Sequence, residues 1–76
     1  MKNWKCHKVV GAFKIQEIEH TENSVILRDG SDSAVVDSHW YGKHSPKVGG
    51  YFIRYNDGYE SFSPADAFES GYTVIE

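Results

Sequence analysis

Asp37, Ser38 and His39 stand side by side, and they are the three residue types of a nucleophilic relay. Contiguity defeats them. Neighbours on one strand or turn cannot line up carboxylate, imidazole and hydroxyl in series, and no glycine-framed nucleophile elbow occurs. The histidines and Cys6 suggest metal chemistry, but His39 and His44 have the wrong spacing for one helix face. Cys6 and His7 are adjacent, whereas zinc ligands in one motif are usually separated by about two to four residues. Asp29, Asp32 and their serine neighbours lack the ligand series and terminal glutamate of a calcium loop, and Asx-type turns account for them. Glu17, Glu19, Asp57 and Glu60 can meet across strands, yet nothing singles out a catalytic pair of carboxylates. Gly49-Gly50 precedes a strand rather than a helix, so it is not a phosphate cradle. The expectation is a chain that is not an enzyme and carries no metal or cofactor.

Contact chemistry is better represented. Trp40, Tyr41, Tyr51, Tyr55, Tyr59, Phe62, Phe68 and Tyr72 exceed what a small core encloses completely. Strand alternation sends some of them outward: if Phe52 faces the core, then Tyr51 and Tyr55 do not, and the reverse also holds. Half-exposed tyrosine and tryptophan suit a binding surface, because they bury large area at low entropy cost. Arg54 lies among them, placed to stack on a ring or clamp an anion. The candidate binding residues are therefore Trp40, Tyr41, Tyr51, Arg54, Tyr55 and Tyr59. The competing reading is that these rings close a thin core. A patch of this kind also favours self-association into a homo-oligomer.

The elements that must position these side chains are short and β-rich. One leucine stands against seven valines, five isoleucines and eleven aromatics, a composition for pleated, half-buried surfaces. Seventy-six residues allow a single domain, residues 1–76, with a marginal core. Cys6 is the only cysteine, which points to a reducing, intracellular setting. No stretch approaches the roughly 20 apolar residues of a membrane helix, and the start lacks a signal-peptide core. A net charge of −3 opposes nucleic-acid backbone binding, which needs clustered cations.

Along the chain, Met1 to His7 reads as an arm or the lead into a strand, and Lys8 to His20 as one long strand. The apolar phase slips at Ile18, so a bulge is expected near Gln16-Glu17. Ser24–Arg28 and Ser33–Val36 are strands joined by Asp29–Asp32. Asp37 or Ser38 is expected to cap a helical turn carrying Trp40 and Tyr41 and ended by Gly42. Tyr51–Tyr55 is apolar on both faces except at Arg54, as a central strand would be. Asn56-Asp57-Gly58 turns the chain into Tyr59–Phe62. Ser63-Pro64-Ala65-Asp66 starts a helix with Ala67 and Phe68 inward, Gly71 left-handed at its end, and Tyr72–Ile75 as a last strand. The fold class is α+β and β-rich: a small, strongly bent antiparallel sheet or SH3-like barrel of five or six short strands with one or two helical turns.

The segment VGGYFIRYNDGYESFSPADAFESGYT, Val48 to Thr73, resembles small proteins of tailed bacteriophages and prophages. These share the glycine-led strand, the DGY turn, the S-x-S-P helix start and the GYT close. The resemblance covers about a third of the chain and implies a phage accessory protein acting in the bacterial cytoplasm, without catalytic residues. Together with the aromatic surplus it suggests a binding module that occupies a host protein or sequesters a small anionic, nucleotide-like ligand, with counter-defence as the purpose. A virion structural or assembly component and a small enzyme are the alternatives.

Overall fold

The structure, a computed structural model, describes residues 1–5 and 9–75. The adjacent Cys6-His7 pair, Lys8 at the expected start of the long strand, and Glu76 lie outside the described residues. The elements are β1 (Lys2–Lys5), β2 (Val9–Lys14), β3 (Glu17–His20), β4 (Val25–Arg28), β5 (Ser33–Val36), α1 (Ser38–His44), β6 (Tyr51–Arg54), β7 (Glu60–Ser63), α2 (Ala65–Gly71) and β8 (Thr73–Ile75). The fold is α+β and β-rich, as the composition requires. Two antiparallel sheets form, one in the order β7-β6-β2-β1-β8 and a smaller meander β3-β4-β5.

The stretch expected as one strand feeds both sheets. β2 pairs with β1 and β6, whereas β3 pairs with β4. Between them, Ile15 N–H donates to Gly50 O and Gln16 N–H to Arg28 O, so consecutive residues bond to different sheets. The phase slip at Ile18 is therefore a crossing point rather than a bulge inside one ladder. Crossing there, together with pairing of the first and last described strands, gives eight strands among the described residues.

The larger sheet is covered on both faces. Phe13, Ile15 and Phe52 face the smaller sheet and pack with Val25, Leu27, Ala34 and Val36, with Trp40 and Tyr41 of α1 over them. Val10, Ala12, Tyr51 and Ile53 face the other way and pack under Phe68 of α2. This explains why Tyr51, Phe52 and Ile53 are all buried although successive side chains alternate. β6 lies inside the sheet, but the middle strand is β2.

Both helices differ in detail from expectation. Asp37 caps α1, accepting the Trp40 N–H at 2.8 Å. Gly42 does not end it; Ser45 does, in the left-handed conformation (φ 46°) with its N–H on Tyr41 O. In α2 the cap residue is Pro64, with no side-chain cap bond, and the Ser63 hydroxyl instead donates to Pro64 O. Phe68 is the buried residue of this helix and Ala67 is exposed. Gly71 is the last helical residue rather than a left-handed one, because Tyr72 follows in extended backbone (φ −123°).

Candidate functional site

The β6–β7 hairpin and the end of α2 together build a tyrosine-lined cleft. Tyr55 N–H donates to Tyr59 O and Gly58 N–H to Tyr55 O, closing a three-residue loop in which Gly58 takes the positive φ (91°) the turn demands. Asp57 Oδ1 accepts the Tyr59 N–H at 2.9 Å, so the carboxylate shapes the turn from within. The two rings flanking the loop, Tyr55 and Tyr59, stack at 5.9 Å. Across from them α2 ends, and the extended Tyr72 brings in a third ring, itself stacked on Phe68 at 4.4 Å. Tyr55, Asn56, Asp57, Tyr59 and Tyr72 line a cleft of about 480 Å³, a size within the range of ligand pockets. Tyr59 is half exposed at its rim.

α1 supports the outer side of the same ring. The Tyr59 ring meets His44 edge-on at 6.4 Å, and Lys43 Nζ lies 5.9 Å from its centroid. His44 in turn packs on Trp40 at 4.5 Å. Burial, and then the Lys43 ammonium, push the His44 imidazole below its ordinary pKa. An aromatic row thus runs from α1 across the hairpin loop to the cleft.

Of the six residues that the sequence nominates, Tyr55 and Tyr59 meet in this cleft, and the other four do not line it. Tyr51 is a core residue, 5% exposed and stacked on Phe68 at 4.2 Å. Its hydroxyl donates to Glu69 Oε2 at 2.8 Å, and burial together with that contact raises its pKa to about 12. Glu69 is shifted the opposite way, held low first by the Tyr51 hydroxyl and then by Lys14. The nomination of Tyr51 as a surface anchor is corrected by the second core, which absorbs its ring.

Arg54 is exposed but engaged, with Nε and Nη2 on Glu60 Oε2 at 2.9 and 2.8 Å. It projects from the opposite face of β6 to Tyr55, so it is not a clamp for anything in the cleft. Trp40 is half buried over Phe52, and its Nε1 donates to Glu60 O at 3.1 Å. Tyr41 faces the β3–β4 turn, edge-on to His20 at 5.0 Å, beside a separate depression of about 350 Å³.

Tyr72, Asn56 and Asp57 complete the cleft. Tyr72 shows in the sequence only as one ring among many, because its meeting with Tyr55 depends on where α2 docks. A second groove of about 620 Å³ lies among Lys14, Lys47, Val48, Phe62 and Ala65. Its Lys14 is held by Glu69 at 3.4 Å. Among the described residues, no three His, Cys, Asp or Glu side chains gather as metal ligands would. No described helix is long and apolar enough to cross a membrane. Compared with protein-family models, curated proteins and solved structures, the chain matches none.

Proposed function

We propose that this chain is a small, non-enzymatic binding module whose contact surface is the tyrosine cleft between the β6–β7 loop and the end of α2. The observation that carries the reading is the half-exposed Tyr59 standing over a cleft shared with Tyr55 and Tyr72. Rings presented this way supply contact area without ordering long side chains. The shifted titratable groups support contact over catalysis, because they are dispersed. Tyr51 and Glu69 pair beside α2, His44 belongs to α1, and Arg28 is bound to Glu17 and Glu19 on the smaller sheet.

The resemblance of residues 48–73 to tailed-phage proteins supplies the setting: a phage or prophage accessory protein in the bacterial cytoplasm, acting in counter-defence. Between the two ligand classes, a host protein is favoured over a small anion. Arg54, the cation nominated to hold an anion, is neutralised by Glu60, and the cleft carries Asp57 at its rim.

Native mass spectrometry of the chain recovered from bacterial cells tests this directly. The wild-type chain retains a stoichiometric protein partner, and Tyr59→Ser loses it while keeping its own thermal transition. Retention of the same partner by the variant defeats the assignment of the cleft.

A further inference from the structure

We infer that the chain pairs with a second copy of itself through the free edge of β5, joining two β3-β4-β5 meanders into one continuous sheet about a two-fold axis. The direction of the unused main-chain groups points there. In the β4–β5 ladder Arg28 stands opposite Ser33 and Ile26 opposite Val35. One step beyond, Asp29 N–H donates to Asp32 O at 3.0 Å, so that facing pair is a bonded one. Bonded and non-bonded pairs alternate along an antiparallel ladder. Ala34 and Val36 therefore bond to β4, while Ser33 and Val35 aim N–H and C=O the other way. β5 ends the order β3-β4-β5, and among the described residues nothing hydrogen-bonds Ser33 or Val35 from that side.

Edge strands normally carry charge, proline or a cover that discourages such pairing. β3, the other edge of the meander, carries Glu17, Glu19 and His20. On β7, Trp40 Nε1 occupies Glu60 O. β5 reads Ser-Ala-Val-Val, without a charge. Its Val35 is 66% exposed, the most open large apolar side chain among the described residues. Alternation with buried Ala34 and Val36 keeps it out of the core.

The occupant is a second β5 because this edge complements itself. With the axis at Ala34, Ser33 of each copy faces Val35 of the other, and each facing pair exchanges both of its bonds. The two Val35 side chains then lie diagonally on the outer face, within reach of each other. Small Ala34 sits at the axis, where facing side chains come closest. Arg28, one strand away, is already held by Glu17 and Glu19 of its own copy. Pairing β3 with its own copy in the equivalent way would set Glu19 against Glu19. The contact is small, so the dimer is reversible and fills at high concentration. It uses both β5 edges and closes at two copies.

The test is sedimentation equilibrium of the full chain over a concentration series, with amide exchange read by NMR at both ends of the series. Reducing conditions keep Cys6 from linking copies. A monomer–dimer equilibrium is expected, with exchange slowed several-fold at the Ser33 and Val35 amides and unchanged at Ile18 and His20. Val35→Pro removes an outward N–H and spares the bonds to β4, a position where edge strands accept proline. Val35→Lys places a charge on the pairing edge and keeps the test readable if proline strains the strand. Each raises the dissociation constant by at least about tenfold while the thermal transition is kept. Ser33→Val, facing Val35 of the other copy, tightens the dimer several-fold.

A chain that stays monomeric throughout the series overturns the inference. So does a dimer indifferent to Val35→Lys and Ser33→Val, or one whose slowed amides lie at Ile18 of β3 or Val74 of β8. β5 shares no residue with the lining of the tyrosine cleft, so Tyr59→Ser leaves the dimer intact. Loss of the dimer in that variant assigns self-contact to the cleft and overturns the β5 edge.

Discussion

Gly50 and Gly42 show how differently one residue type is used in this chain. A Cβ at Gly50 would run into the Phe62 ring and lie 3.0 Å from Ser63 O, so the ring packs directly on the backbone. Gly50→Ala is expected to cost about 1–3 kcal/mol through overpacking. Gly42 lies inside α1 with nothing within 4 Å of such a Cβ. Gly42→Ala is expected to add about 0.5–1 kcal/mol by restoring helix propensity. Paired thermal denaturation of the two variants reads both signs. Tyr51 carries a pH signature at the same scale. Its folded pKa of about 12 exceeds the ordinary value of 10.0, so the neutral phenol stabilises the fold. That contribution is complete below pH 10 and is lost as pH rises towards about 12. Glu69 works in the other direction: its folded pKa is lowered from 4.5, so its contribution is present above that value and is lost as pH falls through the lowered one. Stability measured against pH should therefore lose its alkaline flank in Tyr51→Phe, checked by phenolate absorbance, and keep a shallower acidic flank, because Lys14 still holds Glu69.

At the scale of elements, α1 is short, contains a glycine and buries no residue fully, so packing rather than propensity holds it. Its Trp40 does more than cover Phe52. The Tyr55 N–H to Tyr59 O bond sets the ladder parity, which turns the main-chain groups of Glu60 and Phe62 outward on the free edge of β7. Trp40 Nε1 meets the first of these, at Glu60 O, and so blunts an edge that would otherwise pair with another chain. Trp40→Phe keeps an aromatic ring over the core but removes that donor. The expected result is a loss of about 0.5–1.5 kcal/mol and a concentration-dependent association in sedimentation that the wild-type edge resists. Much at this scale was legible in the sequence. The DG loop, a cap at Asp37 or Ser38 and the proline-led start of α2 are each written in a few adjacent residues. The parity slip at Ile18 was visible too, but it says only that the chain rotates relative to its core. Whether the strand bulges or leaves for another sheet is decided by partners such as Gly50 and Arg28, far away in sequence.

The whole molecule is ordered by long-range closure. β8 returns from the far end of the chain to pair with β1, Lys5 opposite Thr73, and this seats the α2–β8 junction, with Tyr72, beside the hairpin loop. No local pattern announces that meeting, so Tyr55 and Tyr59 are legible as candidates while Tyr72 shows only as one more ring. The same closure gives the sheet its second core and takes Tyr51 out of solvent. Contact at this scale is a claim about one surface among several, with the Lys14–Lys47 groove and the Tyr41 depression as rivals. Tyrosine-selective chemical footprinting of the free and partner-bound chain discriminates among them. The account predicts protection of Tyr59 with Tyr55 and Tyr72 on binding, while Tyr41 keeps its free reactivity. Protection of Tyr41, or of lysines 14 and 47 by amine labelling, with Tyr59 still open to reagent, would contradict it.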